Sequence, residues 1–270
     1  MPKSGSLVIV GAGLAGARAA MTLRQLGFDG RILLLGDEPE PPYERPPLSK
    51  DYLTGRLGRD KLFPLSERAW QEREVEWLGT TKVVALDRRE RRLELASGEQ
   101  VAYANLILTT GSGPRSLEVP GIDLGGVMSV YSLADATRLR GNLAAKPRVL
   151  VIGGGFLGCE LAAAAREAGC AVVLVEAGES LLQSLVPAAG RAASRWGREH
   201  GVDIRLQTSV TRLLGGDHVE FADLSSGPPA SCDLVLVCVG SSPRVDLARR
   251  SGLSVGGGHS PGILVSRRGR

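Results

Sequence analysis

The sequence predicts an α/β protein built from two Rossmann-like nucleotide-binding domains with parallel sheets, the second inserted into the first. Three observations predict it. VIVGAGLAGARAA occupies residues 8–20, and a second stretch of the same design, VLVIGGGFLGCELAAAA, occupies residues 149–165. Each half then closes with an apolar run that ends in glycine, TTGSGPR and CVGSSPR. A strand, a glycine turn and a helix in that order bind one dinucleotide. Two such units in one chain imply that two cofactors meet, one giving electrons and one receiving them.

In the first half, the short apolar run 7–10 runs straight into glycines and reads as a buried parallel strand. Residues 15–27 read as a helix ended by Gly27, and 31–35 as the next strand. Gly11 permits the tight turn, Gly13 lets backbone approach a pyrophosphate, and Gly16 lets the helix lie on the strand. The helix N-terminus offers free N–H groups and a partial positive charge to phosphates. Gly36 falls near the place where an acid commonly meets the ribose, so Asp37 and Glu38 are the candidates there.

Pro39, Pro41, Pro42, Pro46 and Pro47 forbid a regular helix until about Leu48. A short helix is expected over 49–53 and a longer one over 62–73. Strands are expected at 81–86 and 92–95 around a charged turn, with another beginning at Gly98. NLILTT, 105–110, reads as a buried strand ending at Gly111.

The Pro- and Gly-rich stretch 114–126 looks like a crossover between domains. A helix follows at 133–143, and the theme repeats: strand 149–152, helix 158–168 ended by Gly169, strand 171–176. Gly153, Gly155 and Gly158 take the roles of the first three glycines. Glu176 ends the next strand, where an acid bonds a ribose 2′-hydroxyl and repels a 2′-phosphate. That favours NAD over NADP, with Arg191 and Arg195 as basic residues that could offset it. Residues 188–200 read as a helix, 204–214 and 218–224 as strands, and 234–239 as a buried strand ending at Gly240. The expected division is 1–124, 125–245 and a return segment 246–270.

Composition excludes several classes. No apolar run reaches the ~18 residues of a membrane span. The N-terminus enters a strand at once, so no signal peptide is expected and the cytoplasm is the default. Cys159, Cys170, Cys232 and Cys238 form neither a CxxC pair nor a Cys/His metal spacing, and no metal is expected. The net charge of +4 is mild. Arginine-rich stretches such as RRERR read as solvated turns rather than a nucleic-acid surface, although a basic face could steer an acidic protein partner. His200, His218 and His259 sit in no catalytic pattern.

The segment PPYERPPLSKDYLTG, residues 41–55, closely resembles the signature of oxygenase-coupled NADH–ferredoxin reductases, the group of putidaredoxin reductase, biphenyl dioxygenase reductase and apoptosis-inducing factor. The resemblance covers essentially the whole chain. It implies FAD in the first half, NADH in the second, hydride transfer to the flavin, and single electrons to a ferredoxin or rubredoxin-type iron–sulfur protein. It leaves a homodimer open.

Residues carry over by motif. Gly11, Ala12, Gly13, Leu14 and Ala15 match the FAD pyrophosphate turn, and Asp37 and Glu38 the ribose end. Arg45 and Lys50 match family contacts to FAD. Val83 matches a residue whose backbone meets the adenine, and Thr110 and Gly111 lie where the first strand set reaches the cofactor. Gly154, Gly155, Phe156, Leu157 and Glu176 match the NAD site, and Gly240 the glycine near the nicotinamide. In the family the lysine matched by Lys50 and the glutamate matched by Glu160 pair beside the flavin ring. A cation there supports the negative charge that develops on reduction, and the carboxylate holds it in place.

Three departures stand out. No cysteine precedes Cys159, so disulfide chemistry at the flavin is not expected. Tyr131 occupies the position where many relatives have an FAD-contacting arginine. GILVSRRGR, 262–270, resembles the segment just before the family's second FAD motif, so the sequence is expected to stop short of that motif and of a C-terminal domain. A catalytically impaired NAD(H)-binding remnant, or a fragment completed by another chain, is the alternative reading.

Overall fold

The computed structural model describes residues 5–258 and 261–269, so His259 lies outside the described residues. The chain divides into two compact units: Met1–Glu44, Asp60–Gly113 and Ser242–Arg270 form one, Arg45–Arg59 and Pro114–Ser241 the other. This division differs from the sequence-based one at 45–59 and at 114–124, both of which cluster with unit 2, and at 242–245, which clusters with unit 1.

In chain order the strands of the first stretch are β1 (Leu7–Val10), β2 (Ile32–Leu35), β3 (Val75–Leu78), β4 (Val83–Asp87), β5 (Arg92–Leu95), β6 (Gln100–Ala102) and β7 (Asn105–Leu108). Helix α1 (Leu14–Gln25) joins β1 to β2, and α2 (Glu67–Glu72) precedes β3. The short strand β8 (Ser112–Pro114) carries the chain onward to β9 (Val127–Met128) and α3 (Leu133–Leu143). Then come β10 (Arg148–Ile152), α4 (Phe156–Glu167), β11 (Ala171–Val175), α5 (Pro187–Glu199) and β12 (Val202–Arg205). The last elements are β13 (Val210–Gly215), β14 (Val219–Leu224), β15 (Ala230–Ser231), β16 (Leu234–Val237), β17 (Ser241–Pro243) and α6 (Asp246–Arg250).

Unit 1 is organised by a parallel sheet in the order β3-β2-β1-β7. Both faces of this sheet are covered, which is why LVIV and ILLL are apolar without alternation. Leu7, Ile9, Ile32 and Leu34 pack on one face with Ala17 and Ala20 of α1 and with Trp70. Val8, Val10, Leu33 and Leu35 pack on the other with Leu86, Leu93 and Leu95 of an antiparallel sheet, β4-β5-β6. Successive side chains of one strand therefore serve two cores.

Unit 2 repeats the plan with a parallel sheet in the order β12-β11-β10-β16-β9. Leu150, Ile152, Val175 and Val235 pack there against Val210, Leu213 and Ala222 of the antiparallel sheet β13-β14-β15. Helix α3 has the expected boundaries: Ser132 and Asp135 form a reciprocal capping box at its start, and the turn after it ends in Lys146 at φ +52°.

Three expected elements differ. The helix over 62–73 is a 3-10 turn, Arg59–Leu62, followed by the six-residue α2. Pro64 lies between them without an N–H, and the helix restarts only where the Ser66 hydroxyl accepts from Ala69 N at 3.2 Å. The strand over 204–214 is two strands in different sheets, β12 and β13. Gln207 between them has φ +51°, a left-handed backbone that no strand sustains. At 49–53 the helical turn falls earlier, at Pro46–Ser49, where proline is tolerated in the first turn.

Candidate functional site

The first glycine turn holds glycines of two kinds. A Cβ on Gly11, whose φ is +113°, would lie 2.0 Å from the Thr109 carbonyl oxygen, and one on Gly16 would lie 2.1 Å from the Gly11 carbonyl oxygen. Gly13 differs: nothing stands within 4 Å of where its Cβ would be. Gly13 is the N-cap of α1, no side chain caps the helix, and no acid occupies its first turn. The amides of Leu14 and Ala15 therefore open the helix without a protein carboxylate in front of them.

Gly36 is dictated by Ala12, whose Cβ would stand 2.6 Å from a Cβ at position 36. The acid is displaced by one residue. Asp37 lines a cavity of about 420 Å³ with Gly11, Lys82, Val83, Thr110 and Arg244. Asp37 Oδ2 accepts from Arg244 Nη1 at 2.8 Å. Arg244 is fixed in turn, because its N–H donates to the Gly111 carbonyl and its own carbonyl accepts from Thr110 Oγ1 at 2.7 Å. Glu38 is engaged elsewhere: its Oε2 accepts from the Tyr43 hydroxyl at 2.5 Å. The structure thus brings Gly11, Asp37, Val83 and Thr110 to one concavity and leaves Glu38 outside its lining.

The second turn repeats the geometry in unit 2. A Cβ on Gly153, at φ +104°, would lie 2.4 Å from the Cys238 carbonyl oxygen, and one on Gly158 would lie 1.9 Å from the Gly153 carbonyl oxygen. Gly155, N-cap of α4, again has open space. Glu176 Oε2 accepts from Gly154 N at 2.6 Å and Oε1 accepts from Gly178 N at 2.8 Å. Each oxygen keeps a lone pair for a hydroxyl, and the carboxylate cannot swing away without losing two charge-assisted bonds. Gly153, Gly155, Glu176, Thr208, Cys238 and Gly240 line a second cavity, also about 420 Å³. Phe156 is half exposed at the start of α4.

Lys50 and Glu160 meet. Lys50 Nζ stands 2.7 Å from Glu160 Oε1, and the Ser49 hydroxyl donates to Glu160 Oε2 at 2.5 Å. Ser49 is buried, so it holds the carboxylate from the protein side while Lys50 remains half exposed. Arg45 donates to the Tyr131 carbonyl at 2.7 Å and its guanidinium lies 4.4 Å from the centre of the Tyr131 ring. Tyr131 is thus a platform for Arg45.

Burial pushes the Cys159 thiol up to about 11 and the Cys238 thiol up to about 12. Neither is a thiolate near neutrality, and all four cysteines are free. No group of metal-ligating side chains is present among the described residues.

The family model described as pyridine nucleotide-disulphide oxidoreductase matches residues 5–270. The chain belongs to the pyridine nucleotide-disulphide oxidoreductase family. Within it, the chain is 39% identical over 270 residues to a ferredoxin–NAD(P)(+) reductase of Sphingomonas sp., covering 98% of this chain and 63% of that protein. It is 36% identical to a rubredoxin–NAD(+) reductase of Pseudomonas putida, covering 94% of this chain and 66% of the relative. The solved structure of the covalent putidaredoxin reductase–putidaredoxin complex superposes with a TM-score of 0.90 at 34% identity, over 94% of this chain and 62% of the matched one. The chain therefore spans a little under two thirds of the length of such relatives.

Arg244, Ser49, Thr109 and Thr208 join the site beyond the residues that the sequence motifs indicate. Arg244 carried one available signal, its place in the second glycine-ended closing run, CVGSSPR. Ser49 sits inside the RPPLSK segment beside Lys50. Thr109 opens the first closing run, TTGSGPR, whereas Thr208 carries no sequence signal, since only the fold shows what it faces.

Proposed function

We propose that this member of the pyridine nucleotide-disulphide oxidoreductase family is an NADH-dependent FAD reductase that passes electrons to a ferredoxin or rubredoxin-type iron–sulfur protein in the cytoplasm. The observation that carries this reading is the pair of glycine turns of matching construction, each with one glycine whose missing Cβ leaves open space at an uncapped helix start. That space and those amides fit a pyrophosphate on each turn. In unit 1, Gly13, Leu14 and Ala15 would hold the FAD pyrophosphate and Asp37 its ribose. In unit 2, Gly155, Phe156 and Leu157 would hold the NADH pyrophosphate, and the doubly anchored Glu176 its ribose hydroxyls.

FAD, when bound, supplies the conversion between a two-electron hydride donor and a one-electron acceptor. The protein's part is electrostatic. This reading assigns to the Lys50 ammonium, fixed by Glu160, the support of negative charge on the reducible ring. The raised thiols and the absence of cysteine before Cys159 favour an iron–sulfur acceptor over a disulfide. The names of the relatives support the same class of acceptor.

The test is the visible spectrum of the purified chain with added FAD. Flavin bands near stoichiometry that bleach with NADH, followed by ferredoxin-dependent cytochrome c reduction, are the expected result. A chain that binds neither FAD nor NADH sinks the proposal. Light scattering on the same sample reads whether it is a homodimer.

A further inference from the structure

We propose that the groove along α5 is a binding site for a phosphate-bearing small molecule, built from residues that line neither dinucleotide turn. Its shape follows from three small residues. Gly190, Ser194 and Gly197 are the buried positions of α5. A Cβ on Gly190 would lie 2.4 Å from the Leu181 carbonyl oxygen and one on Gly197 would lie 2.7 Å from Ile204 Cδ1. The helix backbone therefore sits low against its neighbours, and a concavity of about 400 Å³ opens beside it.

The next residue after each of those three positions is an arginine. Arg191, Arg195 and Arg198 share one helix face, and all three line the groove. None makes an ion pair, a side-chain hydrogen bond or a ring contact among the described residues. Elsewhere in unit 2 the contrast is plain: Arg148, Arg205 and Arg212 each bridge an aspartate at 2.5–2.8 Å. Glu179 and Glu199 border the same groove, yet neither reaches within ion-pair distance of an arginine. Like charges four residues apart weaken a helix, and here the protein offers no close counter-charge.

The donor set selects the ligand. Three planar guanidinium forks suit the oxygens of a phosphate, which they can clasp in pairs. Ser180 and Ser194 add hydroxyls that have no hydrogen-bond partner among the described residues, and Ser194 is only 6% exposed. Three cations against two carboxylates leave one net positive charge, which favours a compact multivalent anion over a simple carboxylate. The loop that carries Glu176 past the second dinucleotide turn continues directly into Glu179 and Ser180. A phosphate carried on a nucleotide and a free phosphate compound are thus two sources of one chemistry.

The experiment follows the arginine Nε–H signals of the full chain by nitrogen-15 NMR. Inorganic pyrophosphate is titrated against sodium chloride of matched ionic strength. The expected result is a saturable shift of the Arg191, Arg195 and Arg198 signals that chloride does not reproduce. In R191Q/R195Q the shift of the one remaining reporter, Arg198, is lost, and in E179Q/E199Q, where the competing carboxylates are neutral, binding is tightened about threefold. Parallel titrations with NADPH and NADH locate the source: shifts with NADPH alone mark a nucleotide phosphate, and shifts with pyrophosphate alone mark a free phosphate compound. Shifts that chloride reproduces, or an Arg198 shift that survives in R191Q/R195Q, overturn the proposal. E179Q/E199Q tests it by a gain, so a fold defect in the arginine variant does not decide the outcome.

Discussion

Arg244 Nη1 donates to Asp37 Oδ2 at 2.8 Å across 207 residues of sequence. The acid left over when Gly36 excludes a side chain is oriented by a residue from beyond the second unit. Both partners are nearly half exposed, so the pair contributes little to folding. Arg244→Gln is expected to change unfolding free energy by less than about 1 kcal/mol. It should weaken FAD binding, because Asp37 loses the contact that sets its rotamer. Denaturant melts and flavin-fluorescence titration read the two effects separately. Equal losses in both would assign the pair to stability instead.

The glycines of the second turn divide into two kinds. Gly158→Ala places a methyl 1.9 Å from the Gly153 carbonyl oxygen and should destabilise the chain by about 1–3 kcal/mol or more. Gly155→Ala meets nothing within 4 Å, so the melt should be unchanged while NADH affinity drops. Calorimetric melts beside NADH titrations check the contrast.

Glu176→Ala removes the acceptor for Gly154 N and Gly178 N. The expected cost is about 1–3 kcal/mol of stability if those amides stay unsatisfied. Preference for NADH over NADPH should also relax. Glu176→Gln keeps one acceptor oxygen and should fall between, with stability and the ratio of the two affinities measured together.

A pH effect is expected from Asp233. Its carboxyl is held down to about 2, first by the side-chain hydrogen bond from Arg148 and against a smaller opposing desolvation. A depressed carboxylate stabilises the fold above its unfolded value, and that contribution disappears as pH falls through the folded value. The stability difference between wild type and Asp233→Asn should therefore shrink between pH 4 and about 2. It should also be small, since both side chains are about half exposed.

Cys159 and Cys238 should resist alkylation at pH 8, where a thiol held near 11 to 12 is ionised to about one part in a thousand or less. Mass spectrometry after iodoacetamide treatment should find them modified only in denaturant. Rapid labelling of the native chain would contradict the burial that raises them.

The parallel strands, the two glycine turns and the helix 133–143 were legible because local signals agreed there: apolar runs, glycines at fixed offsets, a capping box. Strand β3 escaped because VEWL alternates and follows a short helix, so pairing beside β2 was decided by tertiary contact. The break at Gln207 escaped because a left-handed backbone at glutamine has no composition signal. In the site, motif residues were readable, whereas Arg244, Ser49 and the role of Tyr131 depend on partners at least 86 residues away.

The assignment of Arg45–Arg59 to unit 2 bears on modular dissection. Its flanks belong to unit 1, so the polypeptide passes between units four times rather than twice. Excising 114–241 as an autonomous module would leave behind the strap that supplies Lys50 to Glu160, Arg56 to Glu167 and Tyr52 to Thr137. A minimal piece that preserves those contacts has to be grafted as two segments, and any duplication or recombination that moves the second glycine turn alone delivers it without its lysine.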